Sequence, residues 1–165
     1  MGNSESFAAE GGISEGEILE AQKKWSDAIV AIGEAYTRER DYRALAEETV
    51  DTLYGYARGP VLFKPTKAAE KQFRSTREEA LSYFVTGSVP EDRGFAIQPW
   101  SRVRFENAGF IIGGGTAIVM GNYWFTDANT GEEARVEFTF GYFRDGDGEL
   151  RINLHHSSFP YQPGH

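Results

Sequence analysis

Apolar residues near the start of the chain recur at spacings of three and four. Ile18, Ala21, Trp25, Ala28, Ile29, Ile32 and Tyr36 share one stripe, the pattern of an amphipathic helix with one face on a core. Ser14-Glu15-Gly16-Glu17 ahead of them has the spacing of a capping box, in which serine and glutamate satisfy free amides at a helix start. The pattern predicts a helix of about six turns. Asp41 predicts the cap of a second helix carrying Leu45, Val50 and Leu53, stopped by Gly55, Gly59 and Pro60. Val61-Leu62-Phe63 is a short strand candidate that Pro65 ends. Ser75-Thr76-Arg77-Glu78 has the form of a second capping box. It predicts a short helix through Ala80, Leu81, Tyr83, Phe84 and Val85, closed by Gly87.

From Phe95 onward the period changes to two. Val103 and Phe105 alternate with Arg102, Arg104 and Glu106. Ala117, Val119, Gly121, Tyr123 and Phe125 form one row of a long strand, and Thr116, Ile118, Met120, Asn122 and Trp124 form the other, so both faces are expected to be partly covered. A third strand alternates Ala134, Val136, Phe138, Phe140 and Tyr142 with polar residues, and Asp145-Gly146-Asp147-Gly148 predicts a hairpin turn after it. Helices first and a strand meander afterward predict an α+β fold with the helices on one face of an antiparallel sheet. One domain over residues 13–161 is expected, with 1–12 a flexible lead and 162–165 a tail.

Charge and composition narrow the function. Lys and Arg number 17 against 25 Asp and Glu, a net charge of −8 over 165 residues. Nucleic acid and anionic membrane surfaces both select for the opposite balance. No apolar run approaches the roughly 18–20 residues of a membrane span, no secretory signal is visible, and a soluble protein is expected. Plastid, periplasm and cytoplasm all remain open as compartments. The absence of cysteine excludes disulfides, thiolate catalysis and thiolate metal sites. Three histidines, one of them the terminal His165, leave no three-histidine zinc set. A carboxylate site with one histidine stays open, with no spacing to support it. Asp145, Asp147 and Glu149 lack the glycine and glutamate positions of a helix–loop–helix calcium site and fit a hairpin better. Gly113-Gly114-Gly115 has no following lysine and fits a bend between strands rather than a phosphate loop. Arg102 and Arg104 flank Val103 and have two readings, a pair that draws an anion or, as expected, a solvated strand face.

The end of the chain carries the most chemistry. The row Leu150, Ile152, Leu154 belongs on the core by its hydrophobicity, and counting on by twos reaches His156 and Ser158. Arg151, Asn153, His155 and Ser157 then form the opposite row. An imidazole and a hydroxyl on the apolar side of a sheet have two readings. One is a core histidine bonded to a backbone carbonyl, with a serine ending the strand. The other is a pair of polar groups aimed into a small-ligand pocket.

Residues 154–161, Leu-His-His-Ser-Ser-Phe-Pro-Tyr, resemble the C-terminal motif of the iota-class carbonic anhydrases. These are similar in turn to the association domain of calmodulin-dependent kinase two and to the nuclear transport factor 2-like superfamily. Val61-Leu62-Phe63-Lys64-Pro65-Thr66, Ala80-Leu81-Ser82-Tyr83-Phe84 and the long first helix fit as well, so the resemblance covers roughly residues 14–161. It implies a cone, a curved antiparallel sheet wrapping three helices around a pocket, and a homodimer formed through the outer sheet face. It implies reversible hydration of carbon dioxide to bicarbonate without a metal or other cofactor. The pocket residues it implies are Thr66, Tyr83 and Ser158, which bind substrate and act in catalysis, with His156 beside them as the acceptor of the water proton. Read as residues alone, Thr66 also fits a helix cap or turn, and Tyr83 a core aromatic with its hydroxyl at the rim. Two other functions share such a cone: a non-catalytic assembly module, and a cyclase- or isomerase-type enzyme. The inward rows offer no clear aspartate base for the latter.

Overall fold

The computed structural model describes residues 12–164; the expected lead at 1–12, apart from Gly12, lies outside the described residues. Helix α1 spans Glu15–Thr37. Ser14 caps it as the sequence predicts, its hydroxyl accepting from the Glu17 amide while the Glu17 carboxylate takes the Ser14 amide. Helix α2 covers Tyr42–Leu53 behind the Asp41 cap. Strand β1 is Leu62–Lys64 and helix α3 is Arg77–Val85. The second capping box is one residue later than predicted. Thr76 pairs with Glu79, because the helix starts at Arg77 and its third residue is therefore Glu79 rather than Glu78.

Four long strands follow: β2 Trp100–Gly113, β3 Thr116–Asp127, β4 Glu133–Arg144 and β5 Leu150–Ser158. The strand pattern expected from Phe95 starts later. Phe95–Ile97 forms a single 3-10 turn, with the left-handed Gly94 before it and Pro99 after it. The Trp100 indole then donates to the Phe95 carbonyl at 2.8 Å, anchoring the turn to the strand. The sheet order is β1-β5-β4-β3-β2. All neighbours are antiparallel except β1, which joins β5 in parallel at the edge. Asp145–Gly148 forms the predicted hairpin turn, and Gly114-Gly115, expected as a bend or bulge between strands, turns the chain from β2 into β3.

The long strands bend to wrap the helices. On β2 an extra residue at Ala108 breaks the register between Asn107 and Gly109. A Cβ at the facing Gly121 would collide with the Glu106 carbonyl, so glycine is what lets the two strands close on each other there. Inside the curve lie Trp25, Ile29 and Ile32 of α1 against Phe125, Tyr123, Val136, Phe138 and Phe140 of the sheet, all nearly fully buried. The outer side of the sheet is open in the single chain: Ile111 is 75% exposed, Met120 56% and Ile118 41%. Arg104 lies here over the Trp124 ring at 5.1 Å, on the solvated face expected for it. Among the described residues no helix is long and apolar enough to cross a membrane.

Candidate active site

The site begins with a break in alternation. In the β4–β5 ladder Tyr142 faces Ile152, but Gly141 faces Leu154, so Asn153 is an extra residue on β5. This is a β-bulge, and it changes which face every later residue occupies. Gly141 makes room for it, since a Cβ there would meet the Leu154 Cβ at 2.8 Å. The row that starts inward at Ile152 therefore continues inward at His155 and Ser157, which are 2% and 1% exposed. His156 and Ser158, expected inward by strict counting, face outward. Ser158 donates to Glu137 at 3.1 Å, and His156 is exposed beside it on an outer groove of about 450 Å³.

Inside, a chain of short hydrogen bonds links five elements. The Thr66 and Ser157 hydroxyls are 2.5 Å apart, and Ser157 is 2.6 Å from the Tyr123 hydroxyl. Tyr123 reaches His155 Nε2 at 3.0 Å, and His155 Nδ1 meets the Tyr54 hydroxyl at 2.8 Å. The Trp25 indole donates to Tyr54 at 3.0 Å and ends the row. Tyr83 stands beside the outer end, its hydroxyl accepting from the Lys67 amide at 3.1 Å. Thr66 is only half-buried, whereas Ser157, Tyr123, His155, Tyr54 and Trp25 are buried, so the row runs from its more accessible end into the core.

The surroundings are aromatic. Phe63 on β1 and Phe140 on β4 stack on the His155 ring from the two neighbouring strands, with centroids at 4.7 and 4.1 Å. Burial in this stack, with a smaller contribution from the charge on neighbouring His156, pushes the His155 pKa well below the ordinary imidazole value. The ring is neutral at physiological pH. Burial raises the pKa of Tyr54, Tyr83 and Tyr123 well above the phenol range, although the Lys67 amide at Tyr83 and the Ser157 hydroxyl at Tyr123 draw these two part of the way back. All three are hydroxyls, not phenolates, and the site is a set of neutral hydrogen-bonding groups.

The loop that brings Thr66 to this place is tied down by charge. The Glu91 carboxylate accepts the backbone amides of Ala69, Glu70 and Lys71 at 2.7–3.1 Å. Arg74, with its side chain wholly buried, makes a two-pronged pair with Asp92 at 2.7 and 2.8 Å. Asp92 also takes the Ser82 hydroxyl at 2.7 Å. Ser82 precedes Tyr83 on α3, so one buried cluster fixes both the Thr66 loop and the Tyr83 helix.

Of the residues singled out from sequence, Thr66 and Tyr83 come together here; Ser158 and His156 do not. Ser157, His155 and Tyr123 stand in the site instead, backed by Tyr54 and Trp25. Tyr123 and Trp25 were already visible as inward positions of their elements; nothing in local alternation marked the bulge that exposes His155 and Ser157 to the core. Away from the site, Asp145 is occupied by its own hairpin. It accepts the Asp147 and Glu149 amides and Arg151 Nε, and the Arg151 bond chiefly holds its pKa at about 2. Among the described residues no three histidine or carboxylate groups gather closely enough to hold a metal ion.

Comparison with known proteins identifies the family. A family described as metal-independent carbonic anhydrase matches residues 16–159. A curated metal-independent carbonic anhydrase from Nostoc sp. (strain PCC 7120) is 46% identical over 155 residues, covering 91% of this chain and 75% of the relative. The crystal structure of a cyanobacterial iota-carbonic anhydrase complexed with bicarbonate superposes with a TM-score of 0.88 at 46% identity, over 92% of this chain and 94% of that one. A nuclear transport factor 2-like superfamily protein from Salmonella enterica shares the fold alone, with a TM-score of 0.54 at 12% identity over 90% and 92% of the two chains. The curved sheet wrapped around three helices is thus the nuclear transport factor 2-like cone, and the chain belongs to the metal-independent, iota-class carbonic anhydrases.

Proposed function

We propose that this carbonic anhydrase hydrates carbon dioxide at the outer end of the hydroxyl row, between Thr66, Tyr83 and Ser157. The observation that carries the reading is the unbroken contact of Thr66, Ser157 and Tyr123 at 2.5 and 2.6 Å beside a wall of aromatic rings. A small apolar gas suits such a wall, and hydroxyl donors suit the oxygen on which charge develops as water adds. The bicarbonate held by the cyanobacterial relative supports the same class of ligand here. In the forward step the water oxygen bonds to carbon, one carbon–oxygen π bond opens to an oxyanion, and one water proton leaves. That proton goes to solvent water. His155 is buried and neutral, and its depressed pKa makes it a poor acceptor. Hydroxyls of Thr66 and Tyr83 hold the oxyanion, and Ser157 backs Thr66 through their 2.5 Å contact.

The test is stopped-flow hydration of carbon dioxide by metal-stripped protein, its metal content verified by mass spectrometry. Turnover persists after stripping. Ser157→Ala loses about tenfold or more, because Thr66 loses the hydroxyl partner that aims its proton at the oxyanion. Ser158→Ala keeps its rate within twofold. A folded Ser157→Ala enzyme of full activity overturns the site.

The exposed outer row of Ile111, Ile118 and Met120 supports pairing of two copies through this face as a homodimer. Sedimentation equilibrium showing a monomer at micromolar concentration overturns that part of the reading.

A further inference from the structure

The hydroxyl row has a direction, and its buried end fixes it. An indole nitrogen only donates, so Trp25 gives its proton to the Tyr54 oxygen. A neutral imidazole carries one donor and one acceptor nitrogen, which leaves two arrangements for the rest. If His155 Nδ1 carries the proton, Tyr54 accepts from both Trp25 and His155. Its own proton then has no acceptor, since among the described residues no third group bonds the Tyr54 hydroxyl. A buried hydroxyl proton left unpaired carries the full cost of its lost hydration and is disfavoured. If Nε2 carries the proton, every group is satisfied in turn. Tyr54 donates to Nδ1, Nε2 to Tyr123, Tyr123 to Ser157, and Ser157 to Thr66. The Thr66 proton is then left over at the accessible end.

We infer that Trp25 and Tyr54 are positioning residues: they hold His155 as the Nε2–H tautomer and so orient the whole row to present a proton, not a lone pair, at Thr66. This rests on the reading that substrate binds beside Thr66 and Ser157. The consequence is chemical selectivity. A row of opposite direction would offer lone pairs to a bicarbonate oxygen and repel it, whereas this one offers a donor where negative charge grows. The imidazole takes up no proton; it passes on an orientation that begins at an indole on α1, four hydrogen bonds before Ser157. The stacked Phe63 and Phe140 rings hold the imidazole in plane for both bonds.

Nitrogen-15 NMR of full-length protein labelled in its histidine rings tests this without any assay of turnover, with the His156 and His165 signals identified by their loss in His156→Gln and His165→Gln. The His155 ring shows a protonated, pyrrole-type Nε2 and an unprotonated, pyridine-type Nδ1 across pH 6–9. A proton on Nδ1, or a doubly protonated ring, overturns the inference even if Ser157→Ala confirms the site. Conversely, full activity in Ser157→Ala removes the site while the ring signature stands. Trp25→Phe keeps an aromatic ring and deletes the donor together with part of the indole's packing. A second His155 tautomer then appears, and kcat falls about three- to tenfold with KM nearly unchanged, because the lost orientation matters most where charge develops. A Trp25→Phe enzyme with one Nε2–H tautomer and wild-type kcat overturns the role of Trp25. Should that variant fail to fold, the wild-type spectrum alone decides the tautomer.

Discussion

The two faces of β5 carry the same pair of residues in the same spacing. His155 and Ser157 face the core; His156 and Ser158 face the solvent side of the sheet. The inner pair joins a row of buried hydrogen bonds from Trp25 to Thr66. Of the outer pair, Ser158 holds a bond to Glu137, and His156 stands exposed. Residue type and motif are equal on the two sides, so neither decides which pair is the site. Backbone register does, and register here turns on one extra residue, Asn153, admitted opposite a glycine.

The comparison breaks hardest at the histidines. His155→Ala opens a cavity between Phe63 and Phe140 and strips the Tyr54 and Tyr123 hydroxyls of a partner. It is expected to destabilise the fold by about 3–5 kcal/mol. His156→Ala changes stability by less than about 0.5 kcal/mol. Urea unfolding of both variants measures the difference, and similar values for the two would erase the distinction between the faces. Next comes the bulge itself. Gly141→Val puts side-chain atoms where the Leu154 Cβ already lies. The strain of overfilling is about 1–3 kcal/mol, and either the bulge or the pairing yields. Turnover falls more than tenfold as His155 and Ser157 leave register, while Gly146→Ala, in open space in the β4–β5 turn, leaves both stability and rate unaltered.

The smallest effect is pH-dependent. In the unfolded chain His155 protonates near pH 6.5, while in the fold burial keeps it neutral far below that. Between those two values the unfolded state binds one more proton, so stability falls as pH falls. The expected loss is about 1.4 kcal/mol per pH unit below pH 6.5. His155→Gln flattens this slope in denaturant titrations between pH 6.5 and 5, and an unchanged slope would mean that the ring charges within the fold.

Much of this fold is legible in the chain because local signals and tertiary packing agree. Ser14 and Asp41 start helices where capping chemistry says they should, and the inward row of β3 is the row that alternation picks. Thr66 and Tyr83 come from the family motif, and the tied loop and α3 bring them together. What escapes is register. Counting by twos assumes an unbroken ladder, and the bulge at Asn153 is set by a glycine on the neighbouring strand. That pairing is non-local, so no window along β5 contains it. The one-residue offset of the Thr76 box has a similar root: Ser75 and Thr76 are equally good caps, and the start of α3 chooses between them.

The clamp around Glu91 and Arg74 also bears on how the enzyme keeps time. Enzymes that close a loop over substrate spend part of each cycle waiting for it to open. Here the segment carrying Thr66 has three consecutive amides held by one carboxylate, and a buried ion pair fastens its far end to the helix carrying Tyr83. That segment is a wall and not a door. If substrate binds beside it as proposed, a loop motion is not expected to set the pace of the cycle.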